Sequence, residues 1–261
     1  MIDPIEDRQF VIALARGLAL LESFRAKRPL LTNQELSEAT GLPRSSVSRL
    51  THTLIKMGYL EFDSRRTGYR LGTKVLSLGH AMLGGMDLRP LVRPHMKDIA
   101  ERIRGQAALA TEEAYSMMVV DVVISPQGTQ APLEAGAHVG IANTAMGRAY
   151  FASCSAAEQK RIRQRLLARR QGSGGQVLEI LAKAEADYRE LGYCKSISDW
   201  QKDVSGVAVP LYLRGFGRRM VLTCGAPQTE LSPQQIAGTV GPMMVRTAHS
   251  VEKVFERWIV R

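Results

Sequence analysis

The chain has 261 residues, with 35 Lys and Arg against 25 Asp and Glu, a net charge of +10 and a pI near 9.8; this is length enough for two domains, and the positive balance favours a polyanionic partner without saying anything of fold. Cys154, Cys194 and Cys224 lie far apart, with no CxxC or His pair at ligand spacing, which speaks against a zinc site or a disulfide framework. The acidic start MIDPIEDRQF lacks the apolar stretch of a secretory signal and no apolar run reaches spanning length, so a soluble, cytoplasmic protein is expected, with no metal and no cofactor.

Residues 1–8 read as a disordered arm. Phe10–Arg25 follows as an amphipathic helix with Leu14, Leu18 and Leu21 on one stripe, expected to pack behind the next two helices. Thr32 with Glu35 three residues on is a capping-box start for a helix over Gln34–Thr40. Gly41 suits a left-handed C′ position, and Pro43 can open a second helix, where its missing N–H costs nothing. On that helix Val47, Leu50 and Leu54 form an apolar stripe, while Arg44, Ser45, Ser48, Arg49, His52 and Lys56 occupy the other face. No acid occurs between Glu38 and Glu61. Tyr59–Phe62 and Tyr69–Leu71 read as strands around a turn at Asp63–Gly68, with Arg65 and Arg66 at its tip. Helix, turn, basic helix and hairpin make a winged helix-turn-helix. Its expected major-groove residues are Arg44, Ser45, Ser46, Ser48, Arg49 and His52, and Arg65 and Arg66 are expected to reach backbone or minor groove.

Thr73–Leu83 is a short helix broken at Gly84-Gly85, which divides the chain into a DNA-binding domain (1–71), a linker helix (72–87) and a second domain (88–261). The second domain reads as helix Leu91–Arg104, strands Ala107–Glu113 and Ser116–Ile124, and a turn at Gly140–Asn143 feeding a helix Thr144–Ala152. A basic helix Ala156–Ala168, a loop Gly172–Gly175, a helix Val177–Leu191 and strands Gly192–Ile197, Gly206–Arg214 and Arg219–Gly225 follow. A long helix Pro233–Arg257 closes the chain. The class is α+β, one antiparallel sheet with helices on its faces. The arginines at 161, 163, 165, 169 and 170 spread around their helix and read as a solvated face. Met117 to Val120 read as core.

Enzyme signatures are missing: no G-x-S-x-G elbow, P-loop or HExxH occurs, Gly174-Gly175-Gln176 sits in a linker-like loop, and nothing orients His138 and Cys154 as a nucleophile pair. The small-residue turn Gly140–Asn143 before Thr144 is more informative. Free amides and the positive dipole at a helix N-terminus can hold a carboxylate, although an ordinary Thr-capped helix would look the same.

Leu14-Ala15-Arg16-Gly17-Leu18, Thr40–Leu50, Leu54–Tyr59, Tyr69–Gly72, Thr144–Ala149, Gly192-Tyr193 and Gly225-Ala226-Pro227 together resemble the IclR family of bacterial transcription regulators over nearly the whole chain. The opening segment is similar to the subgroup regulating aromatic-acid breakdown through the β-ketoadipate pathway. The resemblance implies a GAF-like effector domain that binds a small organic acid, and dimers or tetramers on a double-stranded operator. Carried over, the effector contacts fall at Asn143, Thr144, Ala145 and Met146, then Ser196, Gly206 and Cys224. Some members carry an acid and a cysteine where Ser196 and Gly206 align, so an aromatic or longer acid suits this pocket better than glyoxylate. Two other readings stay open: an enzyme tethered to a winged helix, and a DNA-binding protein without an effector.

Overall fold

The structure, a computed structural model, describes residues 9–26, 28–86, 88–128, 133–168, 174–213 and 219–259. The arm expected at 1–8 and the arginines at 169 and 170 lie outside these residues, as do Gly172 and Ser173 of the expected loop. The chain divides into two compact units, Met1–Met86 and Asp87–Arg261.

In the first unit, α1 (Ile12–Leu21), α2 (Asn33–Thr40) and α3 (Arg44–Lys56) close on a small core of Leu20, Phe24, Leu31, Leu36, Val47 and Leu60. The capping box forms as its spacing dictates. Thr32 accepts from the Glu35 amide, the Glu35 carboxylate accepts from the Thr32 amide at 2.8 Å, and these bonds hold that carboxyl below its usual pKa. Gly41 takes the left-handed conformation (φ 69°) that ends α2. Pro43 serves as the N-cap of α3 rather than its first residue. The hairpin β1 (Leu60–Asp63) and β2 (Gly68–Leu71) is antiparallel, and Leu31 bridges to Tyr69 along its edge. The reading of α1 needs correction. The helix spans ten residues, and Leu14 and Leu18 are 61% and 49% exposed, while Leu20 and, beyond the helix, Phe24 fill the core. Helix α4 (Lys74–Gly84) also leaves apolar side chains uncovered, with Leu76 76% and Leu78 57% exposed.

The second unit is built on a six-stranded antiparallel sheet in the order β5-β4-β3-β8-β7-β6. Helix α5 (Leu88–Arg102) leads into β3 (Gln106–Glu113), β4 (Ser116–Ile124) and the short β5 (His138–Val139). Helices α6 (Ala145–Ala152), α7 (Ala156–Ala168) and α8 (Gly174–Leu191) follow; α8 begins at Gly174, where a loop was expected. Then come β6 (Cys194–Ile197), β7 (Val204–Leu211) and β8 (Met220–Pro227), a helical turn α9 (Pro233–Gln235), a π-turn at Ile236–Val240 and α10 (Gly241–Ile259). The apolar cluster of Ala108, Met117, Ile141, Phe151, Leu181, Cys194 and Val221 glues α6 and α8 to one side of the sheet. Helices α5 and α10 pack with strands β3, β4 and β7 and with each other. Buried Asp121 of β4 is held by Arg89 at 3.0 Å and Arg93 at 2.9 Å, which satisfies its charge and ties β4 to α5.

Candidate nucleic-acid interface and effector pocket

Helix α3 presents one face to the core and one to solvent because its polar and apolar residues segregate at helical spacing. Val47 and Thr51 are buried, and the Thr51 hydroxyl donates to the Val47 carbonyl at 2.9 Å, so it adds no unmet polar group to the core. Arg44, Ser45, Ser48, Arg49 and His52 are exposed, and Ser46 is half-buried. Asn33 of α2 donates to the Ser48 hydroxyl at 3.0 Å. The side chains of Arg44, Arg49 and His52 have no ion-pair partner among the described residues, which leaves their charge and donors free for an external anion. At the hairpin tip the Asp63 carboxylate accepts from the amides of Arg65 and Arg66 at 3.0 and 3.1 Å, fixing the turn from which both exposed side chains project. All eight residues singled out for DNA therefore lie on α3 or the hairpin tip.

In the second unit a narrow cavity of about 40 Å³ opens at the start of α6. Thr144 caps that helix. Its hydroxyl accepts from the Gly147 amide at 3.1 Å and donates to the Gly140 carbonyl at 2.7 Å. The Ala145 amide donates to the Ser196 hydroxyl of β6 at 3.2 Å. A Cβ on Gly147 would stand 2.3 Å from the Ile141 Cα, so only glycine lets the helix start this close to the turn before it. Arg148 anchors the same end. It donates to the carbonyls of Ala142 (2.8 Å) and Lys195 (2.7 Å) and pairs with Asp199 at 2.9 Å, which sets Trp200 on the cavity wall.

Leu133, Val139, Met146 and Trp200 supply apolar wall, and Thr144, Ser196, Thr223 and Gln106 supply polar groups. Among the described residues no Asp, Glu, Lys, Arg or His lines the cavity. The Ala145 and Gly147 amides already bond Ser196 and Thr144, so an anion there would meet the Ser196 hydroxyl and the positive end of the helix dipole rather than a cation. Of the residues carried over from the resemblance, Thr144, Ala145, Met146, Ser196 and Gly206 come together on the lining. Cys224 lines it too, but the register pairs it with Val207 and Ala107, on the face opposite Gly206 and Ser196, so its thiol points away. Burial pushes that thiol up to about 12. Asn143 packs against Gly140 and is not on the lining. Gln106, Leu133 and Trp200 escaped the sequence reading, since nothing local marks them; strand register and loop closure bring them in. His138 pairs with Glu113, whereas Cys154 lies against Arg219, so these two serve separate contacts.

A winged helix-turn-helix followed by a sheet domain with a cavity at a helix start is the layout of a DNA-binding regulator with a second, regulatory domain. The chain belongs to the IclR family of bacterial transcriptional regulators: the IclR helix-turn-helix domain matches residues 13–64, and the bacterial transcriptional regulator IclR C-terminal domain matches residues 80–236. It is 30% identical to the HTH-type transcriptional regulator TsaQ1/TsaQ2 of Comamonas testosteroni (93% of this chain, 87% of that one), and 30% identical to the Pca regulon regulatory protein of Pseudomonas putida (79% and 71%). An IclR family regulator from Brucella abortus superposes with a TM-score of 0.90 at 34% identity, covering 97% of this chain and 95% of that one. The fold is shared with an IclR homologue from Microbacterium hydrocarbonoxydans complexed with 4-hydroxybenzoate (TM-score 0.72, 21% identity, 94% and 99% covered). These families and relatives are transcriptional regulators, not enzymes. Among the described residues no helix is long and apolar enough to cross a membrane, and no group of three metal-ligating side chains occurs.

Proposed function

We propose that residues 1–71 bind an operator, that 72–87 form a linker helix, and that 88–261 sense a small organic, aromatic acid and so control catabolic genes in the cytoplasm. The observation that carries the sensing role is the cavity at the start of α6, apolar on its walls and lined by no acidic side chain among the described residues, with the Ser196 hydroxyl and the helix N-terminus at one end. A carboxylate finds donors there and a ring finds Met146, Trp200 and Leu133. The Pca regulon regulator among its relatives and the 4-hydroxybenzoate seen with a structural neighbour support the same ligand class.

Arg44, Ser45, Ser46, Ser48, Arg49 and His52 then face the major groove, with Arg65 and Arg66 on the backbone or minor groove. Two copies on a palindromic or repeated operator would cover the exposed Leu14, Leu18, Leu76 and Leu78. The acid acts by binding DNA-competent and incompetent states unequally, because equal affinity shifts nothing. Titration calorimetry of the full chain against a panel of aromatic and aliphatic acids tests the role. Saturable binding by at least one acid, with a matching change in operator affinity, is expected; no binding by any of them overturns it.

A further inference from the structure

One polar atom on the cavity has no answer within the protein. Gln106, the first residue of β3, is 4% exposed, and its amide oxygen has no hydrogen-bond partner. A buried amide oxygen left unbonded carries its full desolvation penalty, which a ligand donor would remove.

Strand register fixes where this side chain stands. Gln106 lies opposite Gly225, Gly225 opposite Gly206, and Gly206 opposite Ser196. Cross-strand partners project to one face of a sheet, and Ser196 bonds the first amide of α6, so Gln106 rises on the α6 side as well. The two glycines between them leave the floor bare. A Cβ on Gly206 would lie 3.5 Å from that of Ala145, so the helix start sits above Gly206. Gln106 is two strand spacings further on, roughly 10 Å. Ser205 also has an unpartnered buried hydroxyl, but it precedes Gly206 by one residue and belongs to the other face.

We infer that Gln106 reads a hydroxyl on the effector's ring, so that the ligand class is a hydroxy-substituted aromatic carboxylate held by its acid at Ser196 and the start of α6 and by its hydroxyl at Gln106. The inference rests on the sensing role proposed above and adds a residue that discriminates among aromatic acids. A phenolic hydroxyl both donates and accepts, so it satisfies either end of the amide. One ring with polar groups at opposite ends spans that distance, the narrow cavity widening to admit it, and an unsubstituted ring leaves Gln106 as unbonded as before.

Calorimetry with the full chain compares 4-hydroxybenzoate with benzoate, on the native protein and on Gln106→Leu. The native protein should bind the hydroxylated acid about 10-fold or more tightly than benzoate, and the variant should lose that preference. Gln106→Met serves if the leucine variant fails to fold by circular dichroism. A preference that survives substitution, or no preference in the native protein, overturns the role of Gln106 and leaves the sensing role standing. The same holds if neither probe binds but other acids do. If no acid binds at all, the sensing role falls with it.

Discussion

Glycine at position 206 is where one hydrogen atom decides whether the cavity stays open. A Cβ there would stand 3.2 Å from the Ser196 hydroxyl, 3.4 Å from the Cys224 carbonyl and 3.5 Å from the Ala145 Cβ. These contacts are tight but fall mostly on groups that can give by a few tenths of an ångström. Gly206→Ala should therefore fold, push Ser196 off the Ala145 amide, and weaken acid binding about 10-fold, a loss of about 1.4 kcal/mol; calorimetry beside a thermal melt separates the two effects. On the DNA side, Arg49 is exposed without an ion-pair partner. Arg49→Ala should cost about 1–3 kcal/mol and relax preference at one position of each half-site. The readout is binding to operators selected from a random library by the native protein; an equal loss on every sequence would make Arg49 a phosphate contact instead. Sequence spacing pointed to the turn capped by Thr144, because a capped turn is a local signal, and the family resemblance supplied Ala145 and Met146. It could not find Gln106, whose meaning depends on Gly225, Gly206 and Ser196, all far along the chain.

Elements were legible where their signal was local and long. The capping box of α2, the span Ser116–Ile124 of β4 and the span Ala156–Ala168 of α7 match their patterns. Strand β5 has two residues, too few for an alternation, and is defined only by pairing with Met117 and Met118. The misreading of α1 has a different origin. Apolar period tells which residues want cover, not which neighbour supplies it, and Leu20 with Phe24 took the core that Leu14 and Leu18 were expected to fill. The start of α7 makes a pH test possible. The Glu158 carboxylate accepts from the amide (2.7 Å) and hydroxyl (2.8 Å) of Ser155 and pairs with Arg219, and these bonds lower its pKa from 4.5 to about 2. A pKa depressed by folding stabilises the native state above the unfolded value and loses that effect as pH falls through the folded one. Thermal melts of native protein and Glu158→Gln should thus differ most above pH 4.5 and converge toward pH 2. A constant gap across that window would mean the carboxylate is not the source.

At the scale of the whole molecule, the uncovered leucines of α1 and α4 set the expected behaviour of the regulator in solution. Leu14, Leu18, Leu76 and Leu78 are all on the first unit, and burying each fully would contribute about 1.5–3 kcal/mol. Leu78→Lys should shift sedimentation velocity toward smaller species and weaken operator binding without unfolding the chain, since Leu78 supports no core of its own. An unchanged sedimentation profile would mean that these leucines carry no self-association.

The bare stretch at Gly225 and Gly206 bears on how such a sensor can change its diet. Because glycines separate Ser196 from Gln106 across the sheet, the proposed grip on the acid and the proposed inspection of the far end fall to different elements, the start of α6 with β6 on one side and β3 on the other. Replacing the inspector leaves the grip intact. A lineage could thus move from one nutrient to a chemical cousin by altering a single strand residue, with its promoter-reading half untouched.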